Sequence, residues 1–178
     1  MKTVHSILSE LQFCTEQIDK QQYKTIVWLL RKDTTFHFFG EGRSGLVAKM
    51  IAMRSMHSGK NVYVIGETIS PAIRKNDVCI LISGSAKTNA IRYIGKLASN
   101  IGATTFLVTA NKEALTDDFF LNGLWINATT KKDLQNDTKT IQPLGNQFDQ
   151  MAHIVLDAAI IDSTSDMTNM IKNHTNME

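Results

Sequence analysis

The run Asp77-Val78-Cys79-Ile80-Leu81-Ile82 constrains the fold more than any other stretch of the chain. It is continuous, apolar and rich in branched side chains, with no alternation that would turn one face to water. Strands of this kind are buried on both faces and belong to parallel sheets covered by helices. Further strands are predicted at Phe36 to Phe39, Asn61 to Ile65, Thr104 to Thr109 and Leu124 to Ala128. Helical patterns separate them. Gly45 to His57 is closed by Gly59, in keeping with glycine at helix C-termini. Thr88 to Asn100 places Ile91, Ile94, Leu97 and Ala98 on one face, and Ala114 to Leu121 reads as a short helix. Two helices precede the first strand, one carrying Ile7, Leu8, Leu11, Cys14 and Ile18, the other Ile26, Val27, Leu29 and Leu30. After a polar, irregular stretch from Thr129 to Gln142, a long helix runs from Gln147 to Asp162 with Phe148, Met151, Ile154, Val155 and Ala158 facing inward. A last short helix is predicted from Asp166 to Asn173.

Strands alternating with helices imply right-handed βαβ units and a parallel sheet. The predicted fold is α/β, a three-layer αβα sandwich on a five-stranded parallel sheet. One domain is expected, with N-terminal helices at 1–33, the parallel core at 34–128, and a loop with C-terminal helices at 129–178. Two prolines and no Ser/Gly-rich tract in 178 residues leave no sign of a linker. A net charge of +2 is too small a surplus to mark a nucleic-acid or acidic-membrane partner. No apolar run approaches the roughly 18 residues of a membrane span, and Met1 to Glu10 has no secretory apolar region, so a cytoplasmic protein is expected. Cys14 and Cys79 form neither a disulfide framework nor a metal-ligand spacing; Cys79 reads as a small core hydrophobe.

In a doubly wound sheet, ligands bind at the carboxyl ends of strands near the point where strand order reverses. Both expected places carry unusual sequence. Gly40-Glu41-Gly42-Arg43-Ser44-Gly45 follows one strand and opens a helix. Its glycines allow close approach of a ligand, and the helix N-terminus favours negative charge. Ser44 adds a hydroxyl and Arg43 a cation. Ser83-Gly84-Ser85-Ala86-Lys87-Thr88 follows the most apolar strand and also opens a helix. One hydroxyl is enough for an N-cap; three in six residues exceed that need and suit a phosphate held in a backbone nest. The first loop also matches G-x-G-x-x-G, which alone is a weak dinucleotide signal.

With these motifs on the page the chain resembles a sugar isomerase (SIS) domain, and within that class the 6-phospho-3-hexuloisomerases. MRSMHSGKNVYVIGET (Met53 to Thr68), Ser70-Pro71, LISGS, PLGNQFDQ (Pro143 to Gln150) and the ending IKNHTNME carry the likeness, which spans Phe38 to the C-terminus. The resemblance implies a flavodoxin-like sheet, assembly as a homo-oligomer, usually a tetramer, and no metal or organic cofactor. It also implies conversion of D-arabino-hex-3-ulose 6-phosphate to fructose 6-phosphate, in formaldehyde fixation by the ribulose monophosphate route. Carried over, it puts Ser44, Ser83, Ser85 and Thr88 on the phosphate, with Gly42 and Gly84 shaping the loops; Arg43 and Lys87 in the same loops are expected to bind substrate with them. His57 falls on the family's M-H-x-G histidine, and Asp149 where the family carries a glutamate base. Ala86 replaces a usual glycine, Lys87 a usual arginine, and Asp149 shortens the carboxylate arm by one methylene.

Moving a carbonyl from C3 to C2 requires a carbon base and a second group that shuttles the proton between oxygens. Asp149 is expected as the first and His57 as the second, since imidazole titrates near neutrality. Plainer readings exist for both. An acid in a first helical turn and an imidazolium near a helix end each suit the dipole. His37, in an aromatic strand, reads as a hydrogen-bonded core residue, and Lys131-Lys132-Asp133 as a solvated loop. Met50, Met53 and Met56 read as core or subunit interface. His174 and Asn176 could reach a neighbouring subunit's site or lie in a frayed tail. Two other functions compete: a SIS module that binds a phosphosugar without turnover, and a dinucleotide-binding oxidoreductase with Glu67 on the ribose.

Overall fold

A computed structural model of the chain describes residues 1–130, 140–165 and 168–176. The Lys131-Lys132-Asp133 cluster and the expected start of the last helix, Asp166 and Met167, lie outside the described residues. Two helices lead in, α1 (Lys2–Glu16) and α2 (Lys20–Leu30). Asp19 separates them: its carboxylate accepts the Gln21 and Gln22 amides at 2.9 and 2.8 Å, a side-chain cap that starts α2 afresh. The core then alternates: β1 (Thr35–Gly40), α3 (Arg43–His57), β2 (Asn61–Val64), β3 (Val78–Ile82), α4 (Asn89–Ile101), β4 (Thr104–Thr109) and β5 (Asn122–Trp125). A 3₁₀ helix occupies Lys112–Thr116, a 3₁₀ turn Pro143–Gly145, and α5 (Asn146–Ser163) and α6 (Thr168–Lys172) follow.

All strand pairs are parallel, in the order β2-β1-β3-β4-β5. This is the flavodoxin-like order, and it reverses between β1 and β3, where Gly40 lies opposite Ile82. The three-layer α/β sandwich expected from sequence is therefore present. Every residue of β3 is buried, as its unbroken apolar run requires. One side of the sheet packs Phe36, Phe38, Ile80, Ile82 and Phe106 against α1, α2, α3 and α5. The other packs Cys79, Leu81 and Leu107 under α4 and Phe119 and Phe120. Burial pushes the Cys79 thiol up to about 12, with the Asp77 carboxylate adding to it, as befits a core residue rather than a nucleophile.

Several expectations need correction. The helix predicted at Ala114 to Leu121 is only the 3₁₀ segment Lys112–Thr116. Thr105 explains the difference: its hydroxyl donates to the Phe119 carbonyl at 2.7 Å and accepts the Leu121 amide at 2.9 Å, holding that backbone open so both phenyl rings turn inward. The fifth strand begins at Asn122, two residues before the predicted Leu124. A Cβ at Gly123 would overlap Leu115 and lie 2.8 Å from the Leu107 carbonyl, so close packing sets that glycine. Ile154 and Leu97 were expected inside and are exposed, as are Met50, Met53 and Met56 (39%, 50% and 40%), which removes the core reading of the methionines. His37 is buried and bonded to Asp77, as expected.

Candidate active site

The two unusual loops meet. Beyond the carboxyl ends of β1 and β3 lies one cavity of about 460 Å³, bordered by Gly42, Arg43, Ser44, Ser83, Gly84, Ser85, Lys87, Thr88 and Asp149. Every loop residue expected to bind substrate is on it, together with one of the two expected catalytic groups. Glu41, Asn89, Thr130, Leu144, Gly145 and Phe148 also border it, and the sequence reading had missed them. Thr130 and Phe148 close over Gly84, each 3.3 Å from where its Cβ would stand.

Local sequence explains the shape. Gly42 has φ +59°, a conformation that lets the chain turn from strand into helix. Gly40 and Gly45 press on each other: a Cβ on Gly40 would meet the Ser44 carbonyl at 2.6 Å, and one on Gly45 the Gly40 carbonyl at 2.7 Å. These contacts account for the spacing of glycines in GEGRSG as strand-helix packing. A packing glycine is common to the dinucleotide fingerprint, so that reading turns on its acid. Glu67, its proposed ribose ligand, instead pairs with Lys49 at 2.8 Å.

Helix α3 begins after Gly42 and α4 after Thr88, and neither cap residue gives a side-chain bond to its helix. Thr88 is thus not the conventional N-cap that sequence allows. Helix α5 begins after Gly145 in the same way, so three helix N-termini without side-chain caps border the cavity, and their dipoles favour an anion there. Ser83 and Ser85 keep their protons available. Ser83 Oγ accepts the Ala86 amide at 3.1 Å, and Ser85 Oγ accepts the Lys87 amide at 3.3 Å. Ala86 takes up φ +53°, a region that glycine enters without strain.

Asp149 enters from α5. Leu144 and Gly145 are both left-handed (φ +60° and +76°) and swing the chain into that helix, so its first turn faces α3. Arg43 Nε donates to Asp149 Oδ2 at 2.7 Å, and the same guanidinium donates to the Leu144 carbonyl. Ser44 Oγ donates to Asp149 Oδ1 at 3.1 Å. Both carboxylate oxygens are therefore occupied. Arg43, expected among the substrate-binding residues, borders the cavity and also holds Asp149. Lys87 stays exposed at the rim and forms no ion pair with a described residue.

His57 is elsewhere. It is the last residue of α3, and 15 residues at 1.5 Å each put it about 20 Å from the cavity at that helix's other end. There its ring stands 5.0 Å from that of His174, and Asn173 Nδ2 donates to the His57 carbonyl at 3.0 Å. Burial holds its pKa below the usual histidine value, with the charges of His174 and Arg54 adding to that. The dipole-favoured imidazolium of the plain reading is thus opposed by desolvation. Among the described residues no three His, Cys, Asp or Glu side chains gather where they could hold a metal ion, and no helix is long and apolar enough to cross a membrane.

No protein-family model matches the chain. Among curated proteins it is 30% identical over 177 residues to the 3-hexulose-6-phosphate isomerase of Methanocaldococcus jannaschii, covering 97% of this chain and 93% of that one. It is 29% identical to the protein of the same name from Bacillus subtilis over the whole of both chains. Among solved structures it superposes with a TM-score of 0.83 on a Methanococcus jannaschii protein of inferred 3-hexulose-6-phosphate isomerase function, at 26% identity and full coverage of both.

Proposed function

The chain belongs to the 3-hexulose-6-phosphate isomerase family, a branch of the SIS domain proteins, and on that premise we propose that it interconverts D-arabino-hex-3-ulose 6-phosphate and fructose 6-phosphate. The observation that carries this reading is the single cavity where two serine-bearing loops face one carboxylate. The hydroxyls of Ser44, Ser83, Ser85 and Thr88, the α3 and α4 N-termini and Lys87 take the phosphate. Gly42 and Gly84 keep the loops low enough for it. Binding at this remote group fixes the reacting carbons near Asp149 and lowers the entropic part of the barrier.

Asp149 removes the proton from C2. The C2–H pair becomes the C2=C3 bond of the enediol, and the carbonyl π pair goes to O3, which takes a proton from an acid. The O2–H then loses its proton while Asp149 returns the carbon proton to C3, giving the 2-ketose. His57 is the acid and base for the oxygens, and a neutral imidazole whose pKa is held low is suited to accept as well as donate. Because α3 is too long for His57 to reach the cavity of its own chain, a second copy supplies it. The exposed Met50, Met53 and Met56 run along the same helix and give that copy an apolar face to cover.

The direct test is formation of fructose 6-phosphate in a coupled assay. Asp149→Asn should lower kcat by about 10²–10⁴-fold, the usual share of a general base, while binding of fructose 6-phosphate stays within a few-fold. A fully active Asn variant refutes the assignment. Mixing Asp149→Asn with His57→Asn chains should restore about a quarter of wild-type activity if sites are shared across a two-fold interface, and none if they are not. One observation favours the second reading, a module that binds a phosphosugar without turnover: both Asp149 oxygens are already engaged. Binding of fructose 6-phosphate with no turnover by wild type would select it.

A further inference from the structure

We propose that the Ser44 hydroxyl couples phosphate binding to release of the Asp149 oxygen that takes the carbon proton, while Arg43 holds the carboxylate in place throughout. The proposal rests on the reading of Asp149 as the base. It begins from a count of protons. A serine hydroxyl donates one hydrogen bond. In the structure that bond goes to Asp149 Oδ1. A phosphate in the same cavity is a second acceptor, and Ser44 cannot serve both.

The two bonds on Asp149 differ in strength. Hydroxyl-to-carboxylate bonds are usually about 2.5–2.7 Å, so the 3.1 Å bond from Ser44 is long for its kind. The bond from Arg43 Nε, at 2.7 Å, lies at the short end for a charged pair, and the guanidinium is anchored again on the Leu144 carbonyl. A phosphate dianion, with more charge than a carboxylate, therefore draws away the Ser44 proton first. Ser83 and Ser85 need no such exchange, since neither bonds Asp149. The outcome is an Asp149 whose Oδ2 stays fixed by Arg43 and whose Oδ1 is bare. An oxygen freed of a donor is the better proton acceptor. The base is thus restrained until the phosphate of a substrate is seated, and a neutral sugar lacking phosphate meets it restrained.

The test uses phosphate-free D-arabino-3-hexulose as substrate and inorganic phosphite as the separate dianion. Phosphite should accelerate turnover by wild type about five- to tenfold, the size of one hydrogen bond. In Ser44→Ala, turnover without phosphite should rise above wild type, and acceleration by phosphite should be lost. Ser44→Thr, which keeps the hydroxyl, should retain the acceleration, an outcome that a merely structural role would not produce. Independently of catalysis, the carboxyl-carbon resonance of Asp149 should move when wild type is saturated with phosphite and stay still in Ser44→Ala. Equal acceleration in wild type and Ser44→Ala, or an unmoved Asp149 resonance in wild type, overturns the coupling while leaving turnover of the phosphorylated sugar as it was. A wild type that does not turn over the phosphorylated sugar overturns the reading of function and the coupling with it.

Discussion

Asp77 and Asp149 stand at opposite ends of the parallel sheet, and each carboxylate is held by two donors. Asp77 sits just before β3, bonded to His37 Nε2 at 3.0 Å and to the Arg74 amide at 2.8 Å. Asp149 is bonded to Arg43 and Ser44 beyond the strands' carboxyl ends. Both are shielded, with side chains 11% and 12% exposed, so burial does not tell them apart. What differs is the surroundings. Asp77 closes a packed end of the molecule, with His37 fully buried behind it. Asp149 borders a cavity lined also by three serines and by the N-termini of α3, α4 and its own helix α5. A hydrogen-bonded acid is therefore a poor marker of function by itself; an acid with room for a ligand beside it is a better one.

Substituting each in turn would break the comparison if it is wrong. The largest effect should be the loss of turnover in Asp149→Asn already described, with little change in melting temperature. Asp77→Ala should do the reverse. It leaves buried His37 without its partner and should cost about 3 kcal/mol of stability, read from the urea midpoint, with kcat unchanged in the surviving folded fraction. Loss of kcat without loss of stability there would exchange the two roles. A smaller effect should come from His57, which belongs to neither cluster within one chain. Its folded pKa lies below the ordinary 6.5, so acid protonates the unfolded chain more readily. The stability it contributes is complete above that value and is lost as pH falls through the lower, folded one. Melting temperature should therefore drop less between pH 7.5 and 5.5 in His57→Asn than in wild type. An identical drop would remove His57 as a source of acid sensitivity. The smallest effect should be that of Ala86→Gly. It relieves a left-handed alanine but frees the unfolded chain, and should shift stability by less than about 1 kcal/mol. A thermal melt with and without phosphate would show whether loop strain matters to the ligand.

Much of this was legible in the chain itself. β3 announced a buried parallel strand because nothing in it could face water, and the strand-helix alternation then fixed the sheet. The loops at 40–45 and 83–88 stood out because glycines and hydroxyls replace apolar residues at strand ends. The clasp of Arg43 on Asp149 was not legible, because the two are far apart in sequence and meet only through the left-handed turn at Leu144 and Gly145. The 3₁₀ segment at 112–116 was missed for a similar reason, since Thr105 decides it from another strand. The position of His57 was available and overlooked. A helix read from Gly45 to His57 already carries its last residue well away from the loop that opens it.

That length gives α3 the character of a ruler. Removing one residue between Arg43 and His57 would shorten it by about 1.5 Å and turn everything beyond the cut by about 100°. With a cut ahead of Lys49, Met53 and Met56 would take the buried places of Ala52 and Ser55, and the histidine would face a different neighbour. Natural variation in this segment should accordingly run through exchange of side chains and never through insertion or loss of a residue, whatever latitude the surrounding loops enjoy.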